Sequence, residues 1–317
     1  MRILVIGATG YVGRSVVRRL HQLGHDVTGL ARNAEARARL ADAGTGIVDG
    51  DVAEPASVVP HLGGFDAIIY TAQTDMPTER RAVEALVGAL RGSGKRFVYT
   101  SGTAVLAQRA DGDWTEDSFA EDDPFERSAY AGARCDTEDL VRAAAAEGLV
   151  ANVVRPPLIW GHGRCPPLSA LHGSARSGAV CYLGRGLGVY SSVHVDDLAD
   201  IFALVLEKGV PGALYHAVSG ETNWRSLAEE VARLRGLPVR SVGYDEARAL
   251  FGPFVAHVVF AHNSRTRCPR TRTELGWRPS PERLDIFAEM GHPSFMAIAG
   301  ASGDRYDFIG ADPTAST

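Results

Sequence analysis

The chain has 317 residues, of which 45% are hydrophobic and 22% are charged, and its net charge is −5. This is an ordinary globular composition, and the length predicts one large domain with a smaller, dependent lobe. The slightly acidic balance offers no broad basic surface for nucleic acid or anionic lipid, so a small-molecule substrate is the expected partner.

Cysteine usage and apolar runs bear on compartment and metal binding. The 4 cysteines are widely spaced, without a CxxC pair or a His/Cys cluster at metal-ligand spacing, so we expect reduced thiols and no metal site. No apolar run approaches the roughly 18 residues of a membrane span. We therefore expect a cytoplasmic protein that binds no membrane; the sequence leaves a homodimer open.

Short β-branched runs alternate with amphipathic stretches through the first half of the chain. Strands are predicted at "RILVI", "DVTGLA", "GIVDGD", "DAIIYTA" and "RFVYTS", and helices between them over residues 11–23, 33–43, 55–62 and 77–91. This βαβ rhythm is typical of a parallel sheet with helices on both faces. The predicted fold is therefore α/β, a Rossmann-type doubly wound parallel sheet.

A longer helix and a change of composition follow. The pattern predicts a helix over residues 128–147, ended by Gly148, and then a sixth strand within "VANVVRPPLIWG". Gly, Pro, Ser and Arg dominate residues 161–188, and only short elements come after them. We expect residues 1–160 to form the main part of a nucleotide-binding domain. Residues 161–317 would form mainly a C-terminal substrate-binding lobe, with some segments returning to the first domain.

A glycine triplet follows the first strand in "GATGYVG". Gly7, Gly10 and Gly13 lie where a strand turns into a helix, and their missing Cβ atoms permit a tight turn and close approach of a pyrophosphate to the helix N-terminus. An ordinary strand-to-helix turn would use similar residues, but the position after a clean strand supports a dinucleotide loop. The other loop residues expected at the cofactor are Thr9, Tyr11 and Val12.

The ends of the next strands predict the adenosine side of the site. An acidic residue after the second strand would bind a ribose 2′-hydroxyl, but Arg32 stands there and could pair with the 2′-phosphate of NADP. We therefore expect NADPH to be preferred over NADH. Further cofactor contacts are expected at the ends of the third, fourth and fifth strands: Asp51, Val52, Thr71, Ala72 and Thr100.

These motifs, with their order and spacing, resemble the extended short-chain dehydrogenase/reductase superfamily, which contains nucleotide-sugar epimerases and dehydratases and carbonyl reductases. Beyond "GATGYVG", the resemblance includes "DGDVAEP", "FVYTSGTAV", "SAYAGAR", "VVRPPLIWGHG", "SSVHVDDLAD" and "TELGWRPS". It covers nearly the whole chain and is specific for the superfamily, not for a substrate.

The resemblance implies a proton relay built on a YxxxK motif. Here Tyr130 takes the tyrosine position, and Arg134 stands where the lysine belongs. Residues four apart on a helix share a face, so a cation at 134 can lower the pKa of the phenol. Arginine keeps the charge but not the geometry of a lysine, which in this family also reaches the nicotinamide ribose. Both residues are thus expected at the cofactor as well as in catalysis.

The serine or threonine that the family uses to bind the substrate oxygen is missing. Its position is occupied by Gly102, so the resemblance implies that Thr103 or Ser101 supplies the hydroxyl by a one-residue shift, with Thr103 slightly favoured. The alternatives are that water or the substrate supplies the group, or that catalysis is impaired.

The segment "RPP" bounds the nicotinamide end, where Pro156 and Leu158 are expected to press the ring and exclude water. The function implied is an NADPH-dependent reductase of a carbonyl or imine group, with Tyr130 as proton donor. Arg32 favours this function over a nucleotide-sugar epimerase or dehydratase. Enzymes that keep their cofactor bound usually have the acidic residue after the second strand that is typical of NAD binding. A non-catalytic NADP-binding sensor remains a third interpretation, motivated by Gly102 and Arg134.

Overall fold

The computed structural model describes residues 1–127, 129–283 and 285–298, and for residues 129 and 130 the backbone only. The strands are β1 (Arg2–Ile6), β2 (Asp26–Ala31), β3 (Gly46–Asp49), β4 (Ala67–Tyr70), β5 (Arg96–Thr100), β6 (Gln108–Arg109), β7 (Val150–Arg155), β8 (Leu158–Trp160), β9 (Val180–Leu183), β10 (Val189–His194), β11 (Leu214–His216), β12 (Gly220–Asn223), β13 (Val239–Val242) and β14 (His262–Asn263).

Helices connect and cover these strands. The α-helices are α1 (Tyr11–Gln22), α2 (Ala34–Asp42), α3 (Met76–Leu90), α4 (Ala129–Ala143), α5 (Pro166–Ser174), α6 (Val195–Lys208), α7 (Trp224–Arg235), α8 (Tyr244–Phe251), α9 (Pro269–Glu274) and α10 (Pro293–Met296). A π-helix spans Val255–Phe260. No helix in the described part of the chain is long and apolar enough to cross a membrane.

Seven parallel strands form the central sheet, in the order β11-β7-β5-β4-β1-β2-β3. The chain fills one half of the sheet from β1 outward to β3 and then crosses to fill the other half from β4. This reversal leaves a crevice at the carboxyl ends of β1 and β4, where open α/β sheets bind their ligands. The predicted α/β, doubly wound parallel sheet is confirmed.

Both faces of the sheet are buried. On one face, Ile3 and Val5 of β1 pack with residues of α1 and α6, including Phe202. On the other face, Leu4 and Ile6 pack with residues of α3 and α4. Because the inner strands β1 and β4 are covered on both sides, each reads as a continuous apolar run rather than as an alternating one.

The predicted helix over residues 55–62 is wrong in type. Two 3₁₀ turns, Pro55–Ser57 and Val59–Gly64, occupy this stretch. Pro60 lacks an amide hydrogen and restricts the residue before it, and two glycines follow, so a continuous α-helix cannot form. The end of α4 agrees better with the sequence: after a 3₁₀ turn at Ala144–Glu147, Gly148 adopts φ +79°.

The C-terminal half builds its own core and also returns to the central sheet. Trp224, Phe251 and Phe260 are fully buried in a cluster with residues of α5, α7 and α8, beside a three-stranded sheet in the order β12-β10-β8. In contrast, α6 packs on α1, and β11 is the outermost strand of the central sheet next to β7. A domain boundary at residue 160 stays a prediction.

Candidate cofactor and active site

The glycine loop is shaped by close backbone contacts. Gly7 has φ +85°, and an ideal Cβ on it would lie 2.6 Å from the amide nitrogen of Ala72. A Cβ on Gly13 would lie 2.1 Å from the carbonyl oxygen of Gly7, whereas one on Gly10 meets that oxygen at 3.1 Å and no other atom within 4 Å. The first and third glycines therefore let β1, β4 and α1 come together at the crevice, and the second leaves the loop surface open.

The N-terminus of α1 lies at this loop. Gly10 is its N-cap and offers no side-chain hydrogen bond, and the first turn contains no acidic residue. Thr9 and Val12 flank it half-buried. Backbone amides of a first helical turn lack intrahelical acceptors and carry the positive end of the helix dipole. This end of α1 is therefore suited to a phosphate group, as the sequence predicts.

Tyr11 uses its side chain to hold a loop from the other half of the chain. Its hydroxyl lies 2.8 Å from the carbonyl oxygen of Gly161 and 2.9 Å from that of Arg164, and the Arg164 guanidinium lies 5.2 Å from the ring centroid. Burial raises the pKa of Tyr11 far above its usual range. The hydroxyl is thus used within the protein, so the cofactor contact predicted for Tyr11 would have to come from its backbone amide.

The residues around the ends of β2 and β3 are rich in positive charge. Arg32 is exposed directly after β2 and makes no hydrogen bond or ion pair within the described structure, whereas Arg37 is bound to Asp49 at 2.6 and 2.7 Å. On α1, burial and the nearby Arg164, Arg39 and Arg18 lower the pKa of Arg14. The sequence analysis did not single out Arg14. Because several cations lie close to it, binding of an anion next to Arg14 would be favourable.

The carboxyl ends of β3 and β4 line the part of the crevice where the sequence predicts the adenosine. The Asp51 carboxylate accepts a hydrogen bond from the Ala53 amide at 2.9 Å, and Val52 is buried in the core. Thr71 donates its amide and its hydroxyl to the carbonyl oxygen of Ile6 at 2.8 and 2.9 Å. Ala72 backs the glycine loop, so these predicted residues surround one crevice.

The end of β5 presents two buried hydroxyl groups without partners. Among the described residues, neither the Thr100 hydroxyl nor the Ser101 hydroxyl has a hydrogen-bond partner. Buried polar groups in proteins are nearly always satisfied, so each such group calls for an explanation. Their position at the carboxyl edge of the sheet fits a ligand that supplies the missing partner.

Thr103 is bound more tightly into the fold than Ser101. It is 1% exposed, and the Ser264 hydroxyl lies 3.0 Å from its carbonyl oxygen and 3.1 Å from its hydroxyl. Gly102 has extended backbone, and a Cβ on it would meet one atom, the Pro156 carbonyl oxygen at 3.8 Å. The sequence slightly favours Thr103 as the hydroxyl that binds the substrate oxygen, but the structure favours Ser101, because the Thr103 hydroxyl already has a partner. Position 102 has room for a side chain.

Arg134 pairs with a residue that the sequence analysis did not single out. Its Nη2 atom lies 3.3 Å from each carboxylate oxygen of Glu79, which is 2% exposed in the first turn of α3, and the Tyr99 hydroxyl donates to Glu79 at 2.6 Å. Burial raises the pKa of Glu79, while Arg134 and the Tyr99 hydrogen bond act in the opposite direction. Tyr130 is the second residue of α4, and its side chain lies outside the described part of the structure.

An apolar wall bounds the far end of the crevice. Pro156 is buried and accepts the Thr103 amide at 3.0 Å, and Leu158 of β8 is 8% exposed. Arg155, just before them, is buried with Glu138 through an Nε to Oε1 bond of 2.8 Å. The strand end is thereby fixed next to Gly102, where the sequence predicts the nicotinamide ring.

Another cluster lies at the start of α6, next to α1. The ligand atoms of His162, His194 and Asp196 lie within 4.8 Å of one another, a spacing compatible with metal binding. Arg18 is also paired with Asp196, and the Asp196 amide donates to His194 Nδ1 at 3.1 Å, which caps α6. The sequence predicts no metal site, and His162 joins His194 and Asp196 only in the folded chain, where Arg18 is also paired with the carboxylate.

The chain is similar to known proteins in both sequence and structure. A model of the NAD dependent epimerase/dehydratase family matches residues 3–218. Uncharacterized protein C2A9.02 of Schizosaccharomyces pombe is 32% identical over 295 residues, covering 90% of this chain and 97% of its own. The 2-alkyl-3-oxoalkanoate reductase of Stenotrophomonas maltophilia is 30% identical over 305 residues, covering 91% and 88%. A dTDP-glucose 4,6-dehydratase structure from Streptomyces venezuelae, with NAD bound, superposes with a TM-score of 0.72 at 24% identity, covering 93% and 96%.

Proposed function

Since the chain belongs to the NAD dependent epimerase/dehydratase family, we propose that it is an NADPH-dependent reductase of a carbonyl or imine group on a small molecule, with Tyr130 as the proton donor. The family match confirms the resemblance read from the motifs, and with it an NAD(P)-dependent oxidoreductase of the short-chain dehydrogenase/reductase type. The finer assignment depends mainly on one observation. Arg32 comes directly after β2, is exposed, and makes no hydrogen bond or ion pair with the described residues.

The residues of the crevice fit a dinucleotide. Gly7 and Gly13 make a turn that a Cβ would block, and the first-turn amides of α1 face the loop without a side-chain cap. We assign the pyrophosphate to these amides and the 2′-phosphate to Arg32. The orphaned hydroxyls of Thr100 and Ser101 lie along the same strand ends and support a ligand there.

The chain's own groups account for the rest of the reaction. When bound, the nicotinamide supplies the hydride for the substrate carbon. Pro156 and Leu158 exclude water from that end of the crevice, and Ser101 donates a hydrogen bond to the substrate oxygen or nitrogen. Tyr130 gives its phenolic proton to the same atom, and the positive charge of Arg134 favours the phenolate that is left.

The similar proteins support the reductase assignment at modest identity. The relative from Stenotrophomonas maltophilia is named as a reductase of a 3-oxoalkanoate, which has a ketone at the reacting carbon. The Streptomyces venezuelae dehydratase supports the fold. We extend the ketone to this chain as a class and name no particular substrate.

The test is a cofactor titration followed by a turnover screen. We expect NADPH to bind tenfold or more tightly than NADH, and its absorbance at 340 nm to fall with one or more members of a panel of ketones, aldehydes and imines, with the alcohol or amine detected as product. Thermal stabilisation by nucleotide sugars without net NADPH consumption would instead support an epimerase or dehydratase, which the family match also favours.

Binding of NADPH without consumption across the panel would support a non-catalytic sensor. Two observations motivate the sensor as a candidate function. Position 102 lacks the family's hydroxyl, and Arg134, at the place of the lysine, is engaged with the buried Glu79.

A further inference from the structure

Glu79 holds Arg134 from a fixed position inside the protein. It lies in the first turn of α3, is 2% exposed, and receives the Tyr99 hydroxyl from β5 at 2.6 Å. The guanidinium of Arg134 lies 3.3 Å from both carboxylate oxygens and is itself 23% exposed. The carboxylate is therefore anchored from the sheet, and the arginine side chain of α4 is fixed against it.

Other ionisable groups also act on this pair. The negative charges of Glu138, on the same helix as Arg134, and of Asp75, the N-cap of α3, both raise the pKa of Glu79. At the end of β4, Glu79 raises the pKa of Tyr70 and Arg134 lowers it. Tyr99 is the hydrogen-bond partner of Glu79. Arg134 is the cation with the largest effect on the pKa of Glu79. The charge next to position 134 thus depends on both members of the Glu79–Arg134 pair.

We propose that Glu79 is a positioning residue that acts through Arg134 and sets the net charge to which the Tyr130 phenol is exposed. The proposal rests on the proposed function, in which Tyr130 is the proton donor. Positions 130 and 134 are four residues apart on α4, a spacing that puts two positions on one face of a helix. The family resemblance implies a lysine at 134, whereas here the cation is an arginine that is paired with a buried carboxylate.

The direction in which each member of the pair changes the pKa of Tyr130 follows from its charge. A positive charge near a phenol stabilises the phenolate and lowers its pKa, and a carboxylate beside that positive charge offsets the effect. With Glu79 ionised, the pair is neutral as a unit and leaves the phenol protonated, as a proton donor requires. Replacement of Glu79 by glutamine leaves the guanidinium uncompensated, so Tyr130 is expected to titrate at lower pH.

The experiment follows Tyr130 directly, without substrate. The full-length protein is labelled at the tyrosine ζ-carbon, the Tyr130 resonance is assigned by its loss in Tyr130→Phe, and the pH of its titration is compared among variants. We expect Glu79→Gln to lower that midpoint by about one pH unit. Glu79→Asp keeps the charge and is expected to stay within about 0.3 of the wild type, which separates charge from shape.

Two further variants test whether Glu79 acts through Arg134. Arg134→Gln is expected to raise the midpoint, and the double variant Glu79→Gln/Arg134→Gln, which removes both charges, is expected to return it close to the wild-type value. If the single Glu79 variant does not fold, the difference between Arg134→Gln and the double variant still measures the Glu79 charge. Glu138→Gln is the matched control, because it removes another carboxylate buried in an ion pair on α4, with Arg155.

The outcomes separate this inference from the proposed function. An unchanged midpoint in Glu79→Gln, or an equal shift in Glu138→Gln, would overturn the positioning role whether or not the protein reduces a carbonyl. A protein that never consumes NADPH could still show the predicted shifts. In that case the charge relationship stands and the reductase assignment fails.

Discussion

The hydroxyl of Tyr11 donates to the carbonyl oxygen of Gly161 at 2.8 Å, across 150 positions of sequence. Tyr11 is the first residue of α1, beside the glycine loop, and Gly161 begins the loop that follows β8. The contact joins the phosphate end of the crevice to the half of the chain that is expected to form the substrate lobe. It therefore couples the two sides of the proposed site.

Tyr11→Phe is expected to loosen this junction. The change removes the hydroxyl and keeps the ring under Arg164, so the free energy of unfolding should fall by about 1 kcal/mol, measured by denaturant titration. NADPH affinity should fall a few-fold because the loop after β8 is held less firmly. Tyr182→Phe, in the C-terminal half, serves as the control, since that hydroxyl makes no hydrogen bond in the described structure. Equal losses in the two variants would contradict a special role for Tyr11.

Arg32→Asp is expected to abolish the preference for NADPH. A charge-assisted contact to the 2′-phosphate contributes about 1.5 to 3 kcal/mol, which corresponds to roughly a ten- to hundredfold difference in affinity. The measurement is the dissociation constant of each cofactor by fluorescence titration. Arg37→Ala is the control, because Arg37 is already paired with Asp49 and should leave the ratio unchanged. Wild-type affinities that are equal for the two cofactors would refute the assignment.

Tyr130→Phe is expected to separate chemistry from binding. The variant lacks only the phenolic proton, so turnover of an identified substrate should fall on the order of a hundredfold or more while NADPH affinity survives. Stopped-flow measurement of NADPH oxidation and equilibrium titration give the two quantities on the same preparation. Retained turnover would remove Tyr130 from the reaction.

The sequence predicts what is local and misses what is brought together by folding. The glycine loop is predictable because Gly7 and Gly13 act within one strand-turn-helix unit. The partner of Arg134 is not, since Glu79 lies 55 positions away and reads in sequence as an ordinary acid at a helix start. Thr103 looks like a free hydroxyl until Ser264, 161 positions further on, contacts it.

Acid should destabilise this protein through its buried histidines. His216 is fully buried, its Nδ1 lies 2.9 Å from the Arg267 carbonyl oxygen, and burial followed by the charge of Arg155 lowers its pKa from 6.5 to about 3. Between pH 6.5 and about 3, His216 binds a proton in the unfolded chain but stays neutral in the folded chain. The stability from the neutral ring is therefore complete above pH 6.5 and is lost progressively as the pH falls toward 3.

His216→Asn is expected to flatten this dependence. The amide can replace Nδ1 as the donor to Arg267, and it does not titrate. The difference in unfolding free energy between pH 7 and pH 5 should shrink by about 2 kcal/mol, although the smaller side chain lowers stability at both values. His61→Asn, at an exposed position, should leave the difference as it is. An unchanged pH dependence in the His216 variant would show that the ring is not kept neutral.

The departures at positions 102 and 134 are expected to be adaptations that work together. Gly102 leaves open space against the Pro156 carbonyl oxygen, and Arg134 offers a planar fork of donors that Glu79 holds in place. A side chain at 102 would narrow the cleft for a bulky or cationic group such as an iminium, and a lysine at 134 would meet Glu79 with a point charge instead of a fork. The double variant Gly102→Ser/Arg134→Lys recreates the arrangement implied by the family resemblance. With the native substrate, its kcat/KM should fall at least tenfold, while small ketones become better substrates.

The single variants show which departure matters more. Gly102→Ser alone fits sterically, since a Cβ there has its nearest neighbour at 3.8 Å, so the protein should keep its melting temperature and lose activity chiefly through KM for bulky substrates. Arg134→Lys alone changes the partner of a buried carboxylate and should lower both kcat and stability, because the lysine side chain is shorter and its ammonium is more strongly hydrated than the guanidinium. If the double variant instead turned over the native substrate tenfold faster than the wild type, the two departures would be losses of function, and the interpretation as an NADP-binding sensor would replace the reductase.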